Sequence, residues 1–131
     1  MNLNDKQVSG VMSEIINNVI KRPQVISHIT DAKFSVGQVI HHKLFNYRGV
    51  IADVDPIFSG SDDWYDRVAT SRPPKDRPWY HVLVDDGEHN TYVSELNLEE
   101  DWSNQAVDHP LVSELFADFV DGKYVISWLT N

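Results

Sequence analysis

Six histidines and twenty acidic residues, with no cysteine, bound the chemistry open to this chain. His41-His42, His81 and His89 would approach one another if the strands that carry them pair, and Asp85 and Asp86 lie close by. Adjacent histidines on a strand point to opposite faces, so His41 and His42 do not easily share an ion. No helical i, i+4 histidine pair and no CxxC stands in the chain. Asp53 and Asp55 fall on one side of a strand and could act as an acid–base pair. They are equally explained as polar strand-end residues ahead of Pro56. Nucleophile elbow, phosphate-cradling glycine loop and dinucleotide fingerprint are all missing. The expectation is a binding module with no catalytic residue, metal or cofactor.

Two sets of residues could bind a macromolecule. Arg67, Arg72, Lys75 and Arg77 fall in one long polar segment and could join Lys43 and Arg48. With Trp64, Tyr65 and Trp79 interleaved, they would form a nucleic-acid face. Asp62, Asp63, Asp66 and Asp76 sit in the same segment and offset that charge. The whole chain carries a net charge of -9, which repels a polyanion on average. Trp64, Tyr65, Trp79 and Tyr80 form the other set, an aromatic surface for extended or unfolded polypeptide. β-augmentation at an open sheet edge would be its physical mode, and it suits an acidic protein better.

The elements that position these residues are mostly strands. Residues 34–42 read as a first strand with Val36 and Gly37 at its start, and 47–54 as a second. Gly49 suggests a bulge there. Residues 57–77 are a long excursion, uncommon without a function or mobility. Residues 79–85 give a third strand, Asp86-Gly87 a type I′ hairpin signal, and 91–93 the return. Residues 94–97 fit one helical turn, and Leu98 starts a last short strand. That order is the order of an SH3-like β-barrel.

Both ends add to it. Val8, Val11, Met12, Ile15, Ile16, Val19 and Ile20 make an amphipathic stripe over residues 5–21, closed before Pro23. Its burial requires its own barrel, another copy or a partner. A second helix is expected from Pro110, with Leu111, Leu115, Phe116 and Phe119 facing the core and Gly122 past its end. The run YVISWL at 124–129 reads as a strand. The fold expected is mainly β with flanking helices. Its parts are an N-terminal helix and connector (1–31), a barrel (32–101) and a helix–strand extension (102–131).

Absence of cysteine rules out disulfides and thiolate sites. The N-terminus lacks a basic start and an apolar stretch, and no run approaches the ~20 apolar residues of a membrane span. A cytoplasmic protein with no membrane partner is expected.

Val36-Gly37-Gln38-Val39-Ile40-His41-His42, Tyr47-Arg48-Gly49-Val50-Ile51, Asp53-Val54-Asp55-Pro56 and Pro78-Trp79-Tyr80-His81-Val82-Leu83-Val84-Asp85 resemble the HspQ / YccV-like family. Thr91-Tyr92-Val93-Ser94-Glu95 and Leu98 continue the match, over residues 33–98. Residues 109–124 look like the tail of longer members. The resemblance implies a non-enzymatic SH3-like barrel related to small heat-shock proteins of the stress response. Members are described as helping the Lon protease select substrates, or as preferring hemimethylated DNA, and some form ring-like oligomers. The function expected is an adaptor between an ATP-dependent protease and an unfolded or partner protein. Hemimethylated-DNA binding is the alternative, and a homo-oligomer is a further expectation.

Overall fold

The computed structural model describes residues 31–127. The expected helix at 5–21, nearly all of its connector, and the end of the YVISWL run lie outside the described residues. Five antiparallel strands make the main sheet: β1 (Val39–His42), β2 (Arg48–Asp55), β3 (Trp79–Val84), β4 (Asn90–Ser94) and β5 (Leu98–Glu100). They lie in the order β4-β3-β2-β1-β5. β2 and β3 are buried along nearly their whole length, which explains their continuous Val/Ile/Leu content. Ile40, Val50, Ile51, Tyr80, Val82 and Leu83 are fully covered at the centre.

The strands match the sequence reading except the first, which starts at Val39 instead of residue 34 because Val36 and Gly37 form a turn, and the barrel does not close among the described residues. β4 and β5 are both edges among the described residues. β5 is three residues long and pairs only with β1, too short to reach a further strand. Between β4 and β5, Ser94 caps a 3-10 turn over Glu95–Asn97, as expected.

The bulge falls elsewhere than Gly49. Gly49 keeps regular register opposite Val84, and the shift comes between Ile51 and Asp53. Gly49 has a different reason: a Cβ there would run into Val82 and the Leu83 carbonyl. The bulge decides which way the second half of β2 faces. Ile51 pairs with Val82, whereas Asp53 pairs with His81 and Asp55 with Trp79. Cross-strand partners share a face, so one extra residue moves both aspartates off the Ile51 side. The Asp86-Gly87 turn also differs: positive φ occurs at Asp86 alone, within a five-residue β3–β4 connection rather than a two-residue I′ turn.

Residues 57–77 are not structureless. Ser61 Oγ accepts the Trp64 N–H at 3.1 Å and starts helix α1 (Asp62–Val68). The C-terminal region departs most from expectation. The helix after Pro110 is one turn only, α2 (Val112–Leu115). Phe116–Val120 is strand β6, paired with β7 (Lys123–Ile126). Asp121 and Gly122 both have positive φ, at 54° and 78°. That is the turn chemistry of a tight hairpin, so Gly122 turns a hairpin instead of ending a helix. Val107, Leu115, Phe116, Tyr124 and Ile126 join the core of the main sheet. Gly37, at φ 93°, lets Tyr124 N–H reach the Gly37 carbonyl at 2.8 Å.

Candidate functional site

A groove of about 600 Å³ runs beside the β5 edge, lined by Lys33, Phe34, Lys43, Leu98, Glu99, Glu100 and Trp102. Its volume is in the range of ligand sites. One wall is held by a buried carboxylate. Glu95 Oε2 accepts the Lys33 N–H at 2.9 Å and the Tyr80 hydroxyl at 2.6 Å. The Tyr80 oxygen in turn accepts the Phe34 N–H at 3.2 Å. Burial first, then the bond to Glu95, drives the Tyr80 phenol far above its ordinary range.

The β1–β2 turn forms a rim near Lys43. Buried His42 accepts the N–H groups of Leu44 and Phe45 at Nδ1, at 3.1 and 3.0 Å. Burial, with the charge of His41, lowers its pKa, so the neutral acceptor form is favoured. Phe45 stacks on His42 at 4.7 Å and still stands 70% exposed. Leu44 is 59% exposed and Trp102 is 81% exposed. His41 ties this turn to β5: one nitrogen meets Asn46 at 2.6 Å and the other Glu99 at 2.8 Å. Those two bonds, Asn46 first, raise its pKa.

Four of the six basic residues singled out in the sequence are paired with acids. Arg48 is bound to Asp85 at 3.0 Å and to the Gln105 carbonyl at 2.6 Å. Its Nε lies 3.2 Å from Asp101, near enough to pair in charge but not aligned as a hydrogen bond. Arg67 pairs with Asp63, Arg72 with Asp66 and Lys75 with Asp62. Arg77 and Lys43 are exposed and make no ion pair among the described residues. The acidic neighbours that offset the loop's charge on paper therefore do so in space.

The expected aromatic surface is largely interior. Tyr65, Trp79 and Tyr80 are buried and Trp64 is half-buried. Tyr65, Trp64 and Trp79 pack with Phe58 and Tyr92 in one cluster against the outer face of β3 and β4. Lys75 Nζ lies 4.3 Å from the Tyr65 ring centre, and Arg72 lies 4.6 Å from it. The aromatics of the 57–77 excursion thus clamp that excursion down. The large apolar side chains left exposed among the described residues are Leu44, Phe45, Ile57, Leu96, Trp102 and Val120; of these Leu44, Phe45 and Trp102 are the most exposed, and the sequence reading passed over them. Leu44-Phe45 had a signal, an apolar pair inside a turn between two strands.

A family model described as "Hemimethylated DNA-binding protein YccV like" matches residues 32–123. The chain belongs to the YccV-like family. In this YccV-like domain the match spans both the groove and the C-terminal hairpin up to Lys123.

A separate polar cluster lies on the far side of the YccV-like sheet. Asp53, Asp55 and His81 offer ligand atoms within 4.8 Å of one another. His81 Nε2 is 3.1 Å from Asp55 Oδ2, and Tyr92 donates to the same oxygen at 2.6 Å. His41, His42 and His89 take no part in it. No helix among the described residues is long and apolar enough to cross a membrane.

Proposed function

We propose that this YccV-like chain is a non-enzymatic, SH3-like binding module that binds duplex DNA and prefers the hemimethylated form. Contact comes from the β1–β2 turn and the groove beside β5. Membership of a family described as hemimethylated DNA-binding supports this reading. The carrying observation is the exposure of Leu44, Phe45 and Trp102 around a groove whose cations are Lys33 and Lys43. A methyl group on adenine N6 projects into the major groove, where apolar side chains can sense it. Lys33 and Lys43 would meet phosphates.

Charge limits how this works. With two lysines neutralising phosphates, the log–log salt slope is about −1.8, far shallower than that of a strongly basic protein. Affinity then falls roughly tenfold between 50 and 200 mM salt. Fluorescence anisotropy with unmethylated, hemimethylated and fully methylated duplexes tests the proposal. A preference for the hemimethylated duplex that persists at physiological salt is expected. Binding blind to methylation would reject it.

A second reading rests on the acidic surface and the two open sheet edges. In it the domain is an adaptor that presents partner or unfolded protein to an ATP-dependent protease such as Lon. The same apolar rim, or an added strand at β5, would make the contact. Faster degradation of a substrate in a reconstituted assay, lost with Trp102→Ala, supports this reading; no stimulation removes it.

A further inference from the structure

We propose that the amphipathic segment at residues 5–21 turns back on its own chain as a helix and fills the groove beside β5, with its apolar stripe against Phe34, Leu98, Trp102 and the Leu44-Phe45 turn. The segment itself lies outside the described residues. Either functional reading can fail without affecting this contact, which concerns what occupies the groove before a partner arrives.

Two apolar surfaces of this chain need cover. One is the stripe from Val8 to Ile20, whose apolar residues recur at helical spacing. A helix with such a face packs it against another apolar surface. The other is the groove. Trp102, Phe45 and Leu44 are the most exposed large apolar side chains among the described residues. Trp102 lines the groove, and Leu44 and Phe45 follow Lys43 on its rim. The core residues Phe34 and Leu98 show in its wall. Apolar side chains gathered around a concavity mark a contact site.

The chain leads from one surface to the other. The described residues begin at Asp31, and Lys33 and Phe34 already line the groove. The Lys33 N–H is fixed to Glu95 at 2.9 Å and the Phe34 N–H to the Tyr80 oxygen at 3.2 Å. The tether of the segment is therefore anchored at the groove wall. Residues 22–30 reach about 30 Å when extended, and a helix over 5–21 would be about 26 Å long. That reach lets the stripe turn back over the groove. A link this short gives an effective concentration on the order of 1 mM. At ordinary protein concentrations the stripe then meets its own groove before that of a second copy.

Charge favours the same arrangement. Residues 1–30 hold three basic and two acidic side chains, in a chain of net charge -9. Lys21 and Arg22 close the stripe at its tethered end. Glu100, exposed and in no ion pair among the described residues, lines the groove. Opposite charges at that end favour one orientation over its reverse. A groove filled in this way opens to a partner only when the segment leaves, so the segment is an internal competitor for the site.

The test uses the whole chain. With no native cysteine, a single label can be placed cleanly. Asn17 falls opposite the stripe on a helix, so Asn17→Cys carries a nitroxide without blocking the contact. Spin-labelled, isotope-enriched chain is diluted into excess unlabelled chain, and amide NMR signals are followed. Loss of signal centred on residues 33–34, 43–45 and 98–102 is expected. Ile15→Asp with Val19→Asp, which changes no residue of the sheet, should restore those signals. Loss centred elsewhere, or none, would overturn the proposal, as would loss at the groove that persists in the Ile15→Asp, Val19→Asp chain. A mixed sample, with the nitroxide on one chain and the isotope on another, separates the two sources of a stripe; loss at the groove in that sample alone assigns it to a second copy and rejects docking within one chain. The map from the chain with an intact stripe decides the matter even if the double variant misfolds.

Discussion

Replacing Tyr80 with phenylalanine removes one oxygen and leaves the ring in place, edge-on to Phe34 at 5.6 Å. That oxygen has two jobs. It donates to Glu95 at 2.6 Å and accepts the Phe34 N–H at 3.2 Å. All of this is buried; Glu95 itself is 4% exposed. Orphaning a buried backbone N–H costs about 1–3 kcal/mol, and a hydrogen bond to a charged acceptor is worth about 1.5–3 kcal/mol. Glu95 keeps the Lys33 N–H at 2.9 Å, so the losses do not add fully. The expected cost is about 2–4 kcal/mol, or a fall in Tm of roughly 8–16 °C at about 4 °C per kcal/mol.

Urea unfolding followed by tryptophan fluorescence measures it. A cycle with Glu95→Gln should give a coupling of about 1–2 kcal/mol, since the two groups share one bond. The same variant should loosen the groove, because one bond lost holds Phe34 against its wall and the other steadies the Glu95 carboxylate that holds Lys33. A loss below about 0.5 kcal/mol, within the range of ordinary surface changes, would refute the reasoning. Weakened partner binding at unchanged stability would return Tyr80 to the contact surface that its sequence suggested.

Other consequences can be measured more briefly. Trp102→Ala should leave stability within about 0.5 kcal/mol yet weaken partner binding tenfold or more, because the side chain is 81% exposed; anisotropy and urea melts on one preparation separate the two. Lys33→Ala with Lys43→Ala should flatten the salt slope of any DNA affinity by close to its whole expected value of about 1.8. Gly37→Ala forces a positive-φ residue to carry a Cβ into the Tyr124 carbonyl; a loss of about 2–4 kcal/mol is expected, with the β6–β7 hairpin losing hydrogen-exchange protection first. Burial lowers the pKa of both His42 and His109 from 6.5; the unfolded chain therefore takes up these protons first, and stability should be full above pH 6.5 and fall as pH drops toward the folded values. His41, raised by Asn46 and Glu99, acts in the opposite sense and its contribution fades as pH rises through its folded value; its partial exposure keeps that effect small. Urea midpoints between pH 5 and 8, with His42→Gln as control, check the sign.

Strands were legible because β2 and β3 are covered on both faces and need continuous apolar runs, and because turn residues separate them. The C-terminal hairpin was misread for a physical reason. Leu111, Leu115, Phe116 and Phe119 have helical spacing, but the Asp121-Gly122 turn and the pairing of Phe116 with Ile126 outweigh it. Tertiary pairing commonly overrides local pattern in this way. Binding residues were harder to read. Trp79 and Tyr80 have the types found at interfaces, and the same types fill cores; only the packed structure separates the two uses. Lys75 and Arg72 illustrate the same ambiguity. Their charges suggested a ligand, whereas their positions over Tyr65 and beside Asp62 and Asp66 commit them to holding the excursion down.

The bulge in β2 carries the largest consequence that no residue type announced. Without it, Asp53 and Asp55 would follow Ile51 onto the face occupied by Val82 and Tyr80, placing two carboxylates in the hydrophobic core. Burying an unpaired carboxylate there costs far more than a bulge, so uninterrupted register would destabilise the sheet. One extra residue at Ala52 resolves the conflict and gathers both acids beside His81. The same shift leaves Val54 facing Tyr80, so the core under the groove stays apolar up to the Glu95 carboxylate. A deletion of Ala52 would therefore remove only the extra residue, leaving Asp53 opposite His81 and Val54 opposite Tyr80 in regular register. The chain should still fold with both acids beside His81, whereas inserting one residue between Asp53 and Val54 should exchange core and polar faces beyond it and cost far more in a urea melt.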